Sequence, residues 1–204
     1  MAPPALDDAA IRRALLAHLH QVHAGDADTL VLEELGLCEG NARVDVAVVN
    51  GALAGYEIKS DCDTFDRLPR QRRVYGRVLD SVTIVVGQTH LKRARRRVPA
   101  WWGIMVAAPR ITSGTPSDVV ELEEVRPTTP NPAPEEYALA QFLWREEALA
   151  ALRARGFARG FARAPRRQLW RRLAETVPLD ELRALVRSTL KGRGATWRAG
   201  PPSP

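Results

Sequence analysis

The stretch GYEIKSDCDTF, Gly55 to Phe65, decides how the rest of the chain is read. Tyr56 and Ile58 alternate with Glu57 and Lys59, the period of a strand. Asp61 and Asp63 follow at once. Burying an unpaired charge costs several kcal/mol, so the end of this strand is either solvated or built to hold something.

Working backward, ARVDVAVVNGALAGYEIK (residues 42–59) reads as a β-hairpin with Asn50-Gly51 at the turn. A two-residue loop would place Asp45 opposite Tyr56 and mix charge with core on both faces. One extra residue segregates them, either as a bulge at Gly55 or as a three-residue loop. In that register Asp45, Glu57 and Lys59 share one face, and Val44, Val46, Val48, Tyr56 and Ile58 the other. A slip of one residue flips every side chain, so segregation selects the shifted register.

Two carboxylates and a lysine converging at one hairpin end are a chemistry for Mg²⁺ or Mn²⁺. Mg²⁺ takes one or two protein carboxylates, keeps several waters and adds substrate phosphate oxygens. Such an ion neutralises a phosphodiester and lowers the pKa of an attacking water, and Lys59 beside it would orient that water or stabilise developing charge. The plainer reading of the same residues is a surface ion pair of Lys59 with Glu57 or Asp45, worth little if exposed.

Charge across the chain points the same way. The net charge is +6, unevenly placed: residues 1–134 hold 16 Lys/Arg against 17 Asp/Glu, and residues 135–204 hold 14 against 7. A basic C-terminal part favours a polyanionic partner. Only Lys59, Lys92 and Lys191 are lysines among 30 basic residues. A lysine at the hairpin end therefore stands out, because Lys is a compact charge able to lose its proton where Arg is not. No run is apolar and long enough for a membrane span. The N-terminus lacks a secretory plan, and Cys38 and Cys62 form no metal or redox motif. A cytoplasmic setting with no membrane partner is expected.

The periodicities predict a helix over 7–24, in which His18, His20 and His23 lack the i, i+4 spacing of a helical metal pair. Residues 29–35 read as helix or short strand. A helix follows over 64–79, then a buried strand over 81–87, a basic helix or loop over 89–99, a buried strand over 101–108 and an edge strand over 118–126. Asp61 and Asp63 precede the 64–79 helix, where N-capping is the common use. RPTTPNPAPEE (126–136) reads as a hinge. Three helices follow, at about 135–154, 165–176 and 179–190, with residues 193–204 as a disordered tail. The expected organisation is an α/β domain over 1–126, a linker over 127–134 and a basic helical domain over 135–192.

ARVDVAVVNGALAGYEIKSDCDTFDRLPRQRRVYGRVLDSVTIVVG followed by VPAWWGI resembles the PD-(D/E)XK, or restriction-endonuclease-like, nuclease superfamily. The resemblance implies an α-β-β-β-α-β core with a mixed sheet and metal-dependent hydrolysis of nucleic acid, DNA first. Asp45 stands at the first acid, with Val44 in place of the motif's proline, and Glu57 and Lys59 at the (D/E)XK pair. It implies a further acid from the first core helix, here Glu34 or Glu33 on LVLEELGL, so that Asp45, Glu57 and Glu34 would hold the metal. Gln71 and Tyr75 resemble the QxxxY motif of the RecB-like branch. Their i, i+4 spacing gives them one helix face, and with Arg67, Arg70 and Arg73 they would track a strand. The C-terminal part is similar to SAP-type helix-extension-helix modules, with Arg159, Arg163, Arg166 and Arg167 in phosphate-binding places. Cutting both strands would favour a homodimer. Two alternatives stay open: a catalytically silent DNA-binding or repair-accessory module, and a nuclease directed at RNA or serving defence.

Overall fold

The computed structural model describes residues 5–112 and 115–194. Helix α1 (Asp8–Val22) is capped by Asp7, whose carboxylate accepts the Ala10 amide at 2.7 Å, satisfying one of the unpaired donors at a helix start. Its Ile11, Leu15 and Leu19, four apart, are buried. Strands β1 (Leu30–Leu37), β2 (Ala42–Val49) and β3 (Leu53–Lys59) form an antiparallel meander. Helix α2 (Leu68–Val78) crosses to β4 (Ser81–Gly87), parallel to β3. A 3-10 turn and helix α3 (Leu91–Arg97) then lead to β5 (Gly103–Thr112), parallel to β4. Both parallel pairs need such crossovers. Strand β6 (Thr115–Arg126) returns antiparallel to β5, completing one mixed six-stranded sheet in chain order.

The sheet is covered on both faces. Against α1 lie Val46, Val48, Ile58, Val85, Met105 and Ala107. The opposite face packs on α2, α3 and the C-terminal helices α4 (Glu136–Ala140), α5 (Arg145–Ala154), α6 (Arg166–Thr176) and α7 (Leu179–Arg193). Leu149, Leu169, Trp170, Leu173, Val186 and Leu190 of those helices belong to the same core cluster as Leu35, Val74, Val78 and Ile84. Residues 135–192 therefore share the core of the sheet instead of forming a separate unit. The proline-rich segment is no free linker either. Buried Asn131 donates its side-chain amide to the carbonyls of Gly76 and Leu79, both at 2.8 Å, and its backbone N–H to Asp80 at 2.8 Å. The helix expected over 135–154 breaks at residues 141–144. There the Trp144 N–H meets the Glu147 carboxylate at 2.7 Å, starting a second helix. Of the 193–204 tail, residues 195–204 lie outside the described part.

Two other expectations change. LVLEELGL is strand β1, not a helix, so the leading helix of the observed α-β-β-β-α-β order is α1. The hairpin closes through the three-residue loop Asn50–Ala52, with Val49 opposite Leu53. Gly55 is no bulge: it lets Leu79 approach, since a Cβ there would lie 2.5 Å from the Leu79 Cδ1.

Candidate functional site

The hairpin register places Asp45 opposite Glu57, but the β2–β3 ladder ends one residue earlier, at Val46 and Tyr56. Beyond it the strands part, and the Ile58 N–H donates to Asp45 Oδ2 at 2.7 Å. The neighbouring strand bends at the same level. Glu34, across from Asp45 in the β1–β2 register, has φ of 59°, a region rarely populated outside glycine and costing about 1–3 kcal/mol. Leu32 and Leu35, and likewise Val44 and Ala47, thus face the same core cluster although three residues apart. Val44 is on that side, not with Val46 as the simple alternation implied. A cleft of about 840 Å³ lies at this level. Its walls include Asp8 and Arg12 of α1, Glu34, Arg43, Asp45, the run Glu57–Lys59, and Arg67, Arg70 and Gln71 at the start of α2.

Glu57 is fully buried and held from every side. Its Oε1 accepts the Gln71 Nε2 at 2.6 Å and the Lys59 ammonium. Its Oε2 lies 2.5 Å from the Tyr75 hydroxyl. That hydroxyl also lies 2.8 Å from the Arg43 carbonyl, so two acceptors share one phenolic proton. Burial and the Glu57 charge push the Tyr75 pKa far up, so it remains a donor. The Lys59 ammonium, itself buried, is 3.2 Å from the Ile58 carbonyl oxygen. Ion pairs this deep gain little stability against their desolvation, and this pair lines the cleft.

Asp45 is displaced well above the ordinary carboxylate range. Burial, then repulsion from Glu57, pushes its pKa up to about 7, against the opposing pull of the Ile58 N–H, Lys59 and Arg12. Arg12 spans the acidic side of the cleft, 3.1 Å from Asp8, 3.1 Å from Glu34 and 3.4 Å from Asp45. Glu34 is also paired with exposed Arg43.

The residues fit a divalent ion in their chemistry. Asp45, Glu57 and the Ile58 carbonyl are hard oxygen donors among the residues lining the cleft, two carboxylates being the complement Mg²⁺ takes. The repulsion that raises Asp45 is what a cation between the pair would relieve. Gln71 Oε1 is buried without a hydrogen-bond partner among the described residues, and an ion-bound water would supply its missing donor. Among the described residues no three His, Cys, Asp or Glu side chains group as a ligand cluster.

The structure brings Asp45, Glu57, Lys59 and Glu34 together at one cleft. Tyr75 is corrected: with no exposed surface it holds Glu57 and cannot lie along a strand. Gln71 likewise holds Glu57. Arg67 and Arg70 line the cleft, whereas Arg73 is exposed on α2 away from it. Arg159 and Arg163 are exposed in the α5–α6 link. Arg166 and Arg167 come within 3.4 Å of Glu39, on the β1–β2 turn beside the cleft-lining Gly40. Neither Asp61 nor Asp63 caps α2: Asp63 Oδ2 accepts the Ser60 N–H at 2.8 Å, and Asp61 accepts the Leu6 N–H at 3.0 Å. The sequence reading passed over Asp8 and Arg12. Their i, i+4 spacing within a helix already read from the pattern was the available signal.

The profile of the family described as Bacteriophage P4 protein cII matches residues 3–198. Protein cII of Enterobacteria phage P4 is 30% identical over 79 residues, a segment covering 39% of this chain and 30% of that relative. A solved structure, the SPO1766 protein of unknown function from Silicibacter pomeroyi, is 17% identical with a TM-score of 0.38. That alignment covers 76% of this chain and 92% of the other. No described helix is long and apolar enough to cross a membrane.

Proposed function

We propose, for a chain that belongs to the bacteriophage P4 protein cII family, that this cleft is a metal-dependent phosphodiesterase site acting on nucleic acid, DNA first, in a restriction-endonuclease-like frame. The observation that carries the reading is the buried Glu57–Lys59 pair facing Asp45 at the point where β2 and β3 part.

Asp45, Glu57 and the Ile58 carbonyl would hold Mg²⁺ or Mn²⁺, and the ion would supply charge neutralisation and a water of lowered pKa. The chain's own residues do the rest. Gln71 and Tyr75 fix the Glu57 carboxylate so that one geometry is presented at no reorganisation cost. Lys59, held beside Glu57, would orient the attacking water or a non-bridging phosphate oxygen. Arg67 and Arg70 supply the phosphate contacts that position a strand. Glu34 and Asp8 stand at the acidic rim, and Arg12 neutralises them.

A second reading has its own observation. Lys59 and Arg12 already neutralise Glu57 and Asp45, as a silent DNA-binding module would require. Single-turnover cleavage of labelled duplex, single strand and RNA, with and without Mn²⁺, separates the two. Hydrolysis by the intact chain, lost in Lys59→Ala, supports the phosphodiesterase. No hydrolysis of any substrate, together with no Mn²⁺ heat that Glu57→Ala abolishes, rejects it in favour of the silent module.

A further inference from the structure

Between Ser81 and Ser117 the sequence contains no Asp or Glu and six Lys or Arg. Five of these, Lys92, Arg93, Arg95, Arg96 and Arg97, fall on the two turns of α3. Its inner side is apolar, with Ala94 and the following Val98 buried and Leu91 packed on the core. All five cations are exposed on the outer side. Among the described residues none of them has a carboxylate within ion-pair distance, unlike Arg12, Arg43, Arg77 or Arg193 elsewhere. Like charges at i, i+4, as in Lys92/Arg96 and Arg93/Arg97, destabilise a helix. Arg95 adds to burial in pushing the Arg126 pKa down. The chain thus maintains an uncompensated positive surface, with a depression of about 560 Å³ lined by Thr89, Lys92, Arg93, Arg96 and Arg97.

This surface is anchored to the cleft. Thr89 is hydrogen-bonded to Asp61. His90 Nε2 is 3.0 Å from the Asp63 carbonyl, and its ring meets Phe65 edge-on at 5.1 Å. The Arg93 guanidinium sits 5.0 Å above the Phe65 ring. Asp63, Asp66 and Arg67 are themselves walls of the cleft, so the strip from Phe65 to Arg67 joins the two features.

We propose that the outer face of α3, through Lys92, Arg93, Arg96 and Arg97, binds the phosphate backbone of duplex DNA where it leaves the cleft. A helix of this length runs about 10 Å, enough to face several phosphates, and side chains without acidic partners need not break an ion pair to bind. The proposal rests on the cleft being a nucleic-acid site but not on hydrolysis. It is tested on the full chain in chelator, where cutting plays no part, by fluorescence anisotropy of a labelled duplex across a salt series. The triple variant Lys92→Ala/Arg96→Ala/Arg97→Ala is compared with Arg13→Ala, a change at an exposed position of α1. Far-ultraviolet circular dichroism confirms folding, and Arg96→Glu alone serves if the triple variant does not fold.

The expected result is binding at least tenfold weaker for the triple variant at low salt. Its slope of log affinity against log salt should be shallower by about 2–3, since each phosphate left unneutralised removes about 0.9 from the slope. Arg96→Glu alone should weaken binding severalfold, and Arg13→Ala should match the unaltered chain. Unchanged affinity and slope, or an equal loss in Arg13→Ala, overturns the proposal. Preferential binding of phosphatidylserine vesicles or duplex RNA over duplex DNA, lost in the same variant, also overturns it.

Discussion

Replacing Tyr75 with phenylalanine tests its role as a buried clamp on Glu57. The ring stays, and with it the stacking on Trp102 at 5.8 Å and 15°. Only the hydroxyl goes, leaving Glu57 Oε2 and the Arg43 carbonyl without their shared donor. Glu57 has no solvent exposure, so water cannot substitute without reopening the core. A hydrogen bond to a buried charge contributes about 1.5–3 kcal/mol. Tyr75→Phe should therefore lower unfolding free energy by about 2 kcal/mol, a fall in Tm of about 4–8 °C for a chain of this size. Denaturant and thermal unfolding in chelator measure this directly. Duplex affinity under the same conditions should be unchanged within about twofold, since each 1.4 kcal/mol would be tenfold. Unchanged stability with a marked loss of affinity would refute the reasoning and return Tyr75 to the nucleic-acid surface.

Three further outcomes follow from other interactions. Asp45 titrates near 7 in the fold against 3.8 ordinarily, so the folded chain binds the extra proton between those values. Its stabilising contribution is complete below about pH 4 and is lost as pH rises through 7, worth up to about 4 kcal/mol. Asp45→Asn should therefore gain stability over the unaltered chain at pH 8 and little at pH 4 in metal-free unfolding; an equal gain at both would contradict this. Gly87→Ala would place a Cβ well inside van der Waals distance of the Asp61 carboxylate and should cost about 1–3 kcal/mol, read by denaturant unfolding. Asn131→Ala removes two side-chain bonds to Gly76 and Leu79. It should cost about 2–3 kcal/mol, with faster amide exchange at the end of α2.

The hairpin was legible because charge and apolar residues alternate cleanly there, and only one register keeps them apart. That constraint calls for one extra residue but leaves a Gly55 bulge and a three-residue loop both open, and the pairing of Val49 with Leu53 selects the loop. LVLEELGL was open to misreading, since its Leu and Glu residues have high helix propensity. Pairing with the Val-rich β2 along its length overrides that preference. Helix α1 was visible, yet nothing local shows that Asp8 and Arg12 reach the hairpin. The bend at Glu34 and the burial of Tyr75 depend on interactions between distant elements, such as Tyr75 with Arg43 and Glu57. Proline and polar residues across 126–136 made a hinge the natural reading. What they could not reveal is that Asn131 satisfies the carbonyls at the end of α2, fastening the C-terminal helices to the sheet.

The most direct test of the central claim is cleavage of supercoiled plasmid by the full chain and its Glu57→Ala variant, each in Mg²⁺ and in chelator. The account predicts nicked and linear products only for the unaltered chain in Mg²⁺. Equal cutting by the variant, or intact plasmid in every lane while the protein still retards DNA on a gel, would contradict it.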